Sequence, residues 1–143
     1  MKTKNVHLLV VEDDENLNEI IHKCLLSEGY KNIHVAYDGE EALEILDRFG
    51  EEIFVVTLDL KMPKVNGFDV MRTLVMRHKH IVGVIMVSGF SDLKTALEFE
   101  RLGSEKIIAY DFIPLPFEWK YLLPSIKRAI NTVQSKRNKI IHD

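Results

Sequence analysis

The sequence predicts a doubly wound α/β domain, with five parallel strands in the order 2-1-3-4-5 and five helices covering both faces. Three observations predict it. Val6–Val11, Ile53–Leu58 and Ile81–Val87 are short continuous apolar runs ended by polar breakers, the pattern of strands buried on both faces. Between them lie stretches whose apolar residues recur at three- and four-residue intervals, so strand and helix signals alternate along the chain. With 143 residues and 46% hydrophobic content, the chain suits one domain with a core of its own.

The first strand, Val6–Val11, runs into four consecutive acids, Glu12-Asp13-Asp14-Glu15. Asp14 and Glu15 read as helix-start or solvated charges, favoured by the positive end of a helix. Leu17, Ile20, Ile21, Cys24 and Leu25 then mark an amphipathic helix that Gly29 can end in the left-handed conformation. The lone cysteine excludes an internal disulfide, and its apolar neighbours predict a buried thiol. Ile33–Ala36 is short and mixed, as an edge strand should be, and a helix through Ala42, Leu43, Ile45, Leu46 and Phe49 closes at Gly50.

The third strand delivers Asp59 at its carboxyl end, then Met62-Pro63 and the turn residues Asn66-Gly67, where Gly67 can take positive φ. A helix follows through Phe68, Val70, Met71, Leu74 and Val75. The fourth strand delivers Ser88 and Gly89. Ser91 is the expected N-cap of a helix through Leu93, Ala96, Leu97 and Leu102. A fifth strand over 107–113 leads to Pro114-Leu115-Pro116-Phe117. The last helix carries Leu122, Leu123, Ile126, Ala129, Ile130 and Val133, and Pro124 requires that helix to be in its first turn there. The histidines show no ligand spacing; His7 is expected in or beside the first strand, and His78 with His80 in an exposed turn.

Connections in such units are right-handed, and in the 2-1-3-4-5 order the first and third strands are neighbours. Glu12, Asp13, Asp59 and Ser88 therefore fall on the carboxyl edge of the sheet, where open α/β sheets bind ligands. Nineteen basic against 22 acidic residues give a net charge of −3, which supplies no electrostatic reason for a nucleic-acid or anionic-membrane partner. No apolar stretch approaches the ~20 residues of a membrane span, and a cytoplasmic location is expected.

From about Val6 to Val133 the chain resembles a CheY-like receiver domain of a two-component response regulator. The residues that carry the resemblance are the Glu12-Asp13 pair, Asp59 with Met62-Pro63 and Gly67, Ser88, and Pro116-Phe117. The resemblance implies a flavodoxin-like fold and a signalling module rather than an enzyme, capable at most of self-phosphorylation from a phosphodonor and autodephosphorylation. It implies that Asp59 accepts a phosphoryl group and that Ser88 binds it. Glu12, Asp13, Asp59 and the backbone carbonyl of Lys61 would hold Mg²⁺, and Phe112 would be the aromatic switch. The implied partners are a sensor histidine kinase or phosphotransfer protein and a downstream protein or an effector domain absent from this chain. Dimerisation is common in the family, and nothing here demands it.

The chemistry agrees with that assignment. An aspartate can act as nucleophile toward phosphorus when its surroundings neutralise the incoming oxygens, and Mg²⁺ prefers carboxylate, phosphate and water oxygens. Two departures stand out. The family's usual lysine before the Pro-Phe pair is Leu115 here, which removes a point charge that pairs with the acceptor and the phosphoryl group; Lys61 is the nearest compensating cation in sequence. The stretch from Gly103 to Phe112 is also a few residues longer than usual, predicting an extra turn in the fourth helix or its loop. Residues 1–133 are expected to form the receiver and 134–143 a helical extension or linker holding Lys136, Arg137 and Lys139. If the chain is complete, it is a single-domain receiver. Two other classes are open: a receiver-like interaction module independent of phosphorylation, and a Mg²⁺-dependent phosphohydrolase.

Overall fold

Five strands, β1 (His7–Val11), β2 (Asn32–Ala36), β3 (Ile53–Asp59), β4 (Val82–Ser88) and β5 (Ile107–Pro114), pair in parallel in the order β2-β1-β3-β4-β5. Helices α1 (Glu15–Ser27), α2 (Gly39–Phe49), α3 (Gly67–Arg77), α4 (Leu93–Leu102) and α5 (Trp119–His142) alternate with them. This computed structural model describes residues 3–60, 62, 65–89, 93–116 and 118–142. Ser91, Lys61, Pro63 and Phe117, each given a role from sequence, lie outside those residues.

The alternation of side chains along each strand divides the interior into two cores. Leu8, Val10, Val55, Ile85 and Val87 face α1 and α5 and pack on Ile21, Leu25, Leu122 and Ile126. Leu9, Val11, Val56, Leu58, Val84 and Met86 face the other way, onto Leu46, Met71, Leu74 and Phe99. Every residue of β3 and β4 is buried, which explains their unbroken apolar sequences, whereas four of the five residues of β2 are partly exposed, as its edge position requires. Gly29 follows α1 at φ 98, the left-handed conformation expected of it.

Several local expectations need correction. Ile20 is 53% exposed and Cys24 is only half-buried, because α1 turns that flank toward a shallow apolar groove shared with Leu17, Leu115, Pro116 and Trp119. Pro124 lies inside α5, beyond its first turn, since the helix begins at Trp119. A proline there forgoes a hydrogen bond to the carbonyl four residues back. His78 and His80 are half-buried rather than exposed.

Of the surplus before Phe112, one residue lies within β5: Ala109 pairs with Val84 and Asp111 with Ile85, so Tyr110 is extra and forms a bulge. The bulge changes the phase of the strand. Ile107 and Ala109 face the core beneath α4, and Phe112, three residues after Ala109, faces it too.

The end of α5 is tied to the opposite edge of the sheet. Arg137 donates to the carbonyls of Ile81 (2.6 Å), Ile53 (3.1 Å) and Glu51 (2.6 Å), and its guanidinium lies 4.1 Å from the Phe54 ring centre. Arg137 therefore stitches α5 to the starts of β3 and β4. Replacing Arg137 with Ala is expected to lower stability by about 1–3 kcal/mol, the usual range for lost charge-assisted hydrogen bonds. A urea midpoint unchanged from wild type would contradict that coupling.

Candidate functional site

The carboxyl edge of the sheet brings three acids together. Glu12 follows β1, Asp13 follows Glu12, and Asp59 ends β3, the strand beside β1. One carboxylate oxygen from each lies within 4.8 Å of the others, the one such convergence of three or more acid, histidine or cysteine ligands among the described residues. Glu12 and Asp59 are only 4% and 7% exposed, whereas Asp13 faces solvent.

Backbone and side-chain bonds hold Glu12 in this position. Its amide donates to the Ala36 carbonyl at 3.0 Å, and its carboxylate accepts from the Asp14 amide at 3.1 Å. Asn18, fully buried on α1, donates through Nδ2 to the carbonyls of both Glu12 and Ala36 at 3.0 Å. Asn18 escaped the sequence reading, although a signal existed: it is a polar residue at helical spacing with the buried Ile21 and Leu25. Asp14 caps α1 by accepting from the amides of Asn16 and Leu17, the structural role expected of it.

Burial drives the Glu12 carboxyl up to about 9, with the neighbouring Asp59 charge adding to the rise and the Asp14 amide opposing it. Three hard oxygen donors, two of them buried and mutually repelling, form a set that suits a divalent cation preferring oxygen.

Asp59 is placed by the backbone turn after β3. The Gly67 amide donates to the Leu60 carbonyl at 2.8 Å, closing the loop back on the strand end. Gly67 does not use positive φ, contrary to expectation. Its requirement is space: a Cβ would meet the Asp59 carbonyl oxygen and lie 2.8 Å from the Leu60 Cα.

Asp13, Asp14, Leu17, Gly89 and Leu115 line the opening above Glu12 and Asp59. Ser88 is fully buried one residue inside Gly89, and its carbonyl accepts from the Leu115 amide at 2.8 Å. Leu115, half-buried and followed by a cis bond to Pro116, presents an aliphatic wall to the acids. Phe112 is turned away from the opening, half-buried with its ring centre 6.1 Å from that of Phe99 on α4.

The fold recurs in known proteins. The family model for the response regulator receiver domain matches residues 8–122. The chain belongs to the response regulator receiver family. The receiver is 35% identical over 120 residues to the transcriptional regulatory protein CpxR of Escherichia coli K12, covering 84% of this chain and 47% of that protein. It is 29% identical to the putative response regulator NtrX-like of Rickettsia bellii, over 94% of this chain and 27% of that one. The receiver thus spans about half, or less, of the length of these curated relatives.

Among solved structures, the non-phosphorylated HemR receiver domain from Leptospira biflexa superposes with a TM-score of 0.75 at 28% identity, covering 88% of this chain and 94% of that one. CheY in the CheX-CheY-BeF3-Mg+2 complex from Borrelia burgdorferi is a further match, with a TM-score of 0.73, 25% identity, and coverage of 85% and 86%. Among the described residues, no helix of the receiver is long and apolar enough to cross a membrane.

Proposed function

We propose that this receiver is a phosphoacceptor switch: Asp59 takes a phosphoryl group from a histidine kinase or phosphotransfer protein, and the modified domain changes its contacts with a downstream partner or effector segment. The observation that carries this reading is the convergence of Glu12, Asp13 and Asp59, with Glu12 held so far from water that its proton is hard to remove. Such an arrangement is costly on its own and becomes useful when positive charge and phosphoryl oxygens enter it.

Glu12, Asp13 and Asp59 would hold Mg²⁺, which supplies charge neutralisation for the transferring group when bound. The Asp59 carboxylate oxygen attacks phosphorus, the bond from phosphorus to the donor breaks, and the departing donor group takes up a proton. The product is an acyl phosphate on Asp59. Ser88, at the end of β4, would bind the phosphoryl oxygens. The Lys61 carbonyl is assigned by resemblance, and its ammonium as a compensating cation by its place two residues after Asp59 in sequence.

Exposure to acetyl phosphate and Mg²⁺, read by intact mass, tests the proposal. One phosphoryl adduct supports it. No adduct favours the phosphorylation-independent module, for which the aliphatic Leu115 speaks, and multiple turnover of small phosphoesters indicates a phosphohydrolase.

Proton and metal compete for Glu12. Its folded value, raised to about 9 from the ordinary 4.5, means that the folded protein holds a proton that the unfolded chain has released between those limits. In the metal-free protein this group's contribution to stability therefore declines as pH rises through that window. Mg²⁺ is expected to raise the melting temperature more at pH 8.5 than at pH 6, in ~10 mM metal against EDTA. Equal increments at the two pH values would show that Glu12 does not carry the linkage.

Leu115 concerns the response more than the chemistry. An aliphatic side chain cannot follow a charge that appears on Asp59, whereas a lysine there could. Trp119 lines the same groove as Leu115 and offers an internal reporter. Phosphorylation is expected to alter Trp119 fluorescence weakly in wild type and at least about twofold more in Leu115→Lys. Identical responses in the two proteins would dispose of this assignment.

A further inference from the structure

At the sheet edge opposite the acids, His7 opens β1 and His34 lies on the neighbouring β2, their side chains on the face covered by α2. His7 Nδ1 and His34 Nε2 are 2.8 Å apart, and His7 Nε2 is 3.1 Å from Glu52 Oε2. The two imidazoles are nearly parallel, with 16° between planes, and Phe49 packs against His34 with its ring tilted by 36° and 4.1 Å between ring centres. Three segments distant in sequence thus hold two imidazole nitrogens against each other.

We infer that His7 and His34 form a second metal site, selective for a borderline divalent transition ion such as Zn²⁺, with Glu52 as the carboxylate that orients His7. Glu52 accepts a hydrogen bond from His7 Nε2–H, which leaves the Nδ1 lone pair directed at His34. In the metal-free pair His34 donates Nε2–H to His7 Nδ1; when the ion enters, His34 gives up that proton to water and takes one back at Nδ1, so that Nε2 also becomes a lone pair. Both rings stay neutral, and no net proton need be released.

With Zn–N bonds of about 2.0–2.1 Å in tetrahedral geometry, two ligating nitrogens sit about 3.3 Å apart. The pair therefore has to open by only about 0.5 Å, which small ring rotations supply. Water completes the coordination, since the His7 side chain is 22% exposed and that of Glu52 59%. Nitrogen donors distinguish this site from the acid cluster, whose carboxylate oxygens suit Mg²⁺. Burial, and then the facing His7, hold His34 below its ordinary protonation range, with Glu52 opposing; this keeps the His34 nitrogen available at neutral pH. A bound ion would staple the edge strand β2 to β1.

Zinc titration of the full chain by calorimetry, in saturating Mg²⁺ to occupy the acids, tests the inference. One equivalent is expected to bind at pH 7.5 and to weaken steeply toward pH 5.5. His34→Gln is expected to lose at least about tenfold in zinc affinity, and Glu52→Gln about tenfold, the usual size of a loss in carboxylate support. Neither variant should change Mg²⁺ affinity, and circular dichroism checks that His34→Gln folds; Glu52 is exposed enough that its variant keeps the fold. No zinc binding by wild type at millimolar metal, or equal affinity in wild type and both variants, overturns the site and leaves the pair as a hydrogen bond only.

Discussion

Treated with acetyl phosphate and Mg²⁺, Asp59→Asn is expected to keep its unmodified mass while wild type gains a single phosphoryl group. Asparagine nearly matches aspartate in shape and leaves β3 and its burial intact, but its amide has no carboxylate oxygen to attack phosphorus. The same change removes one of the two acids crowded against the buried Glu12, whose carboxyl is raised partly by the Asp59 charge. The variant should therefore lose the adduct and yet melt higher than wild type in EDTA, with a smaller gain on adding Mg²⁺. A mutation that simply damaged the fold would lower both. An adduct forming on Asp59→Asn at the wild-type rate would mean that another residue is the acceptor.

Gly67→Ala is expected to lower stability by about 1–3 kcal/mol, the usual cost of forcing an extra methyl group into filled space. The obstructing atoms belong to the Asp59 and Leu60 backbone, which cannot swing aside as a flexible side chain would. Relief requires either the start of α3 or the end of β3 to move, and the second displaces Asp59 itself. For a domain of this size, melting should fall by about 2–4 °C for each kcal/mol lost. Adduct formation should slow as well. Gly89→Ala serves as the control, because a Cβ there meets nothing within 4 Å. Wild-type melting in Gly67→Ala would show that the loop accommodates the methyl group freely.

The fold was legible because its determinants are local and periodic. Fully covered β3 and β4 needed unbroken apolar runs, and each helix needed an apolar stripe, so the layer arrangement followed from their alternation, and the strand order was one of the two that such doubly wound sheets commonly take. The meeting of Glu12, Asp13 and Asp59 was legible for the same reason: parallel strands present their carboxyl ends at one edge. What stayed hidden depends on distance in sequence or on the space around a residue. His7 and His34 are 27 residues apart, and Arg137 reaches Ile81 across 56. Periodicity carries no trace of such pairings. Gly67 suggested a turn by its type, whereas its use is the absence of a side chain against another segment's backbone. Cys24 and Ile20 fit an apolar stripe that turned out wider than the surface available to cover it.

The bulge at Tyr110 makes β5 tolerant of a change in its own length. On either side of it the pairing with β4 is regular, and removing that one residue would join the halves in the same register, with Ala109 and Phe112 still beneath α4 and Ile108 and Ile113 still toward α5. Tyr110 is thus a spare residue: the bulge absorbs it without re-aiming anything downstream, and the aromatic position that faces α4 is insulated from a one-residue change in chain length before it.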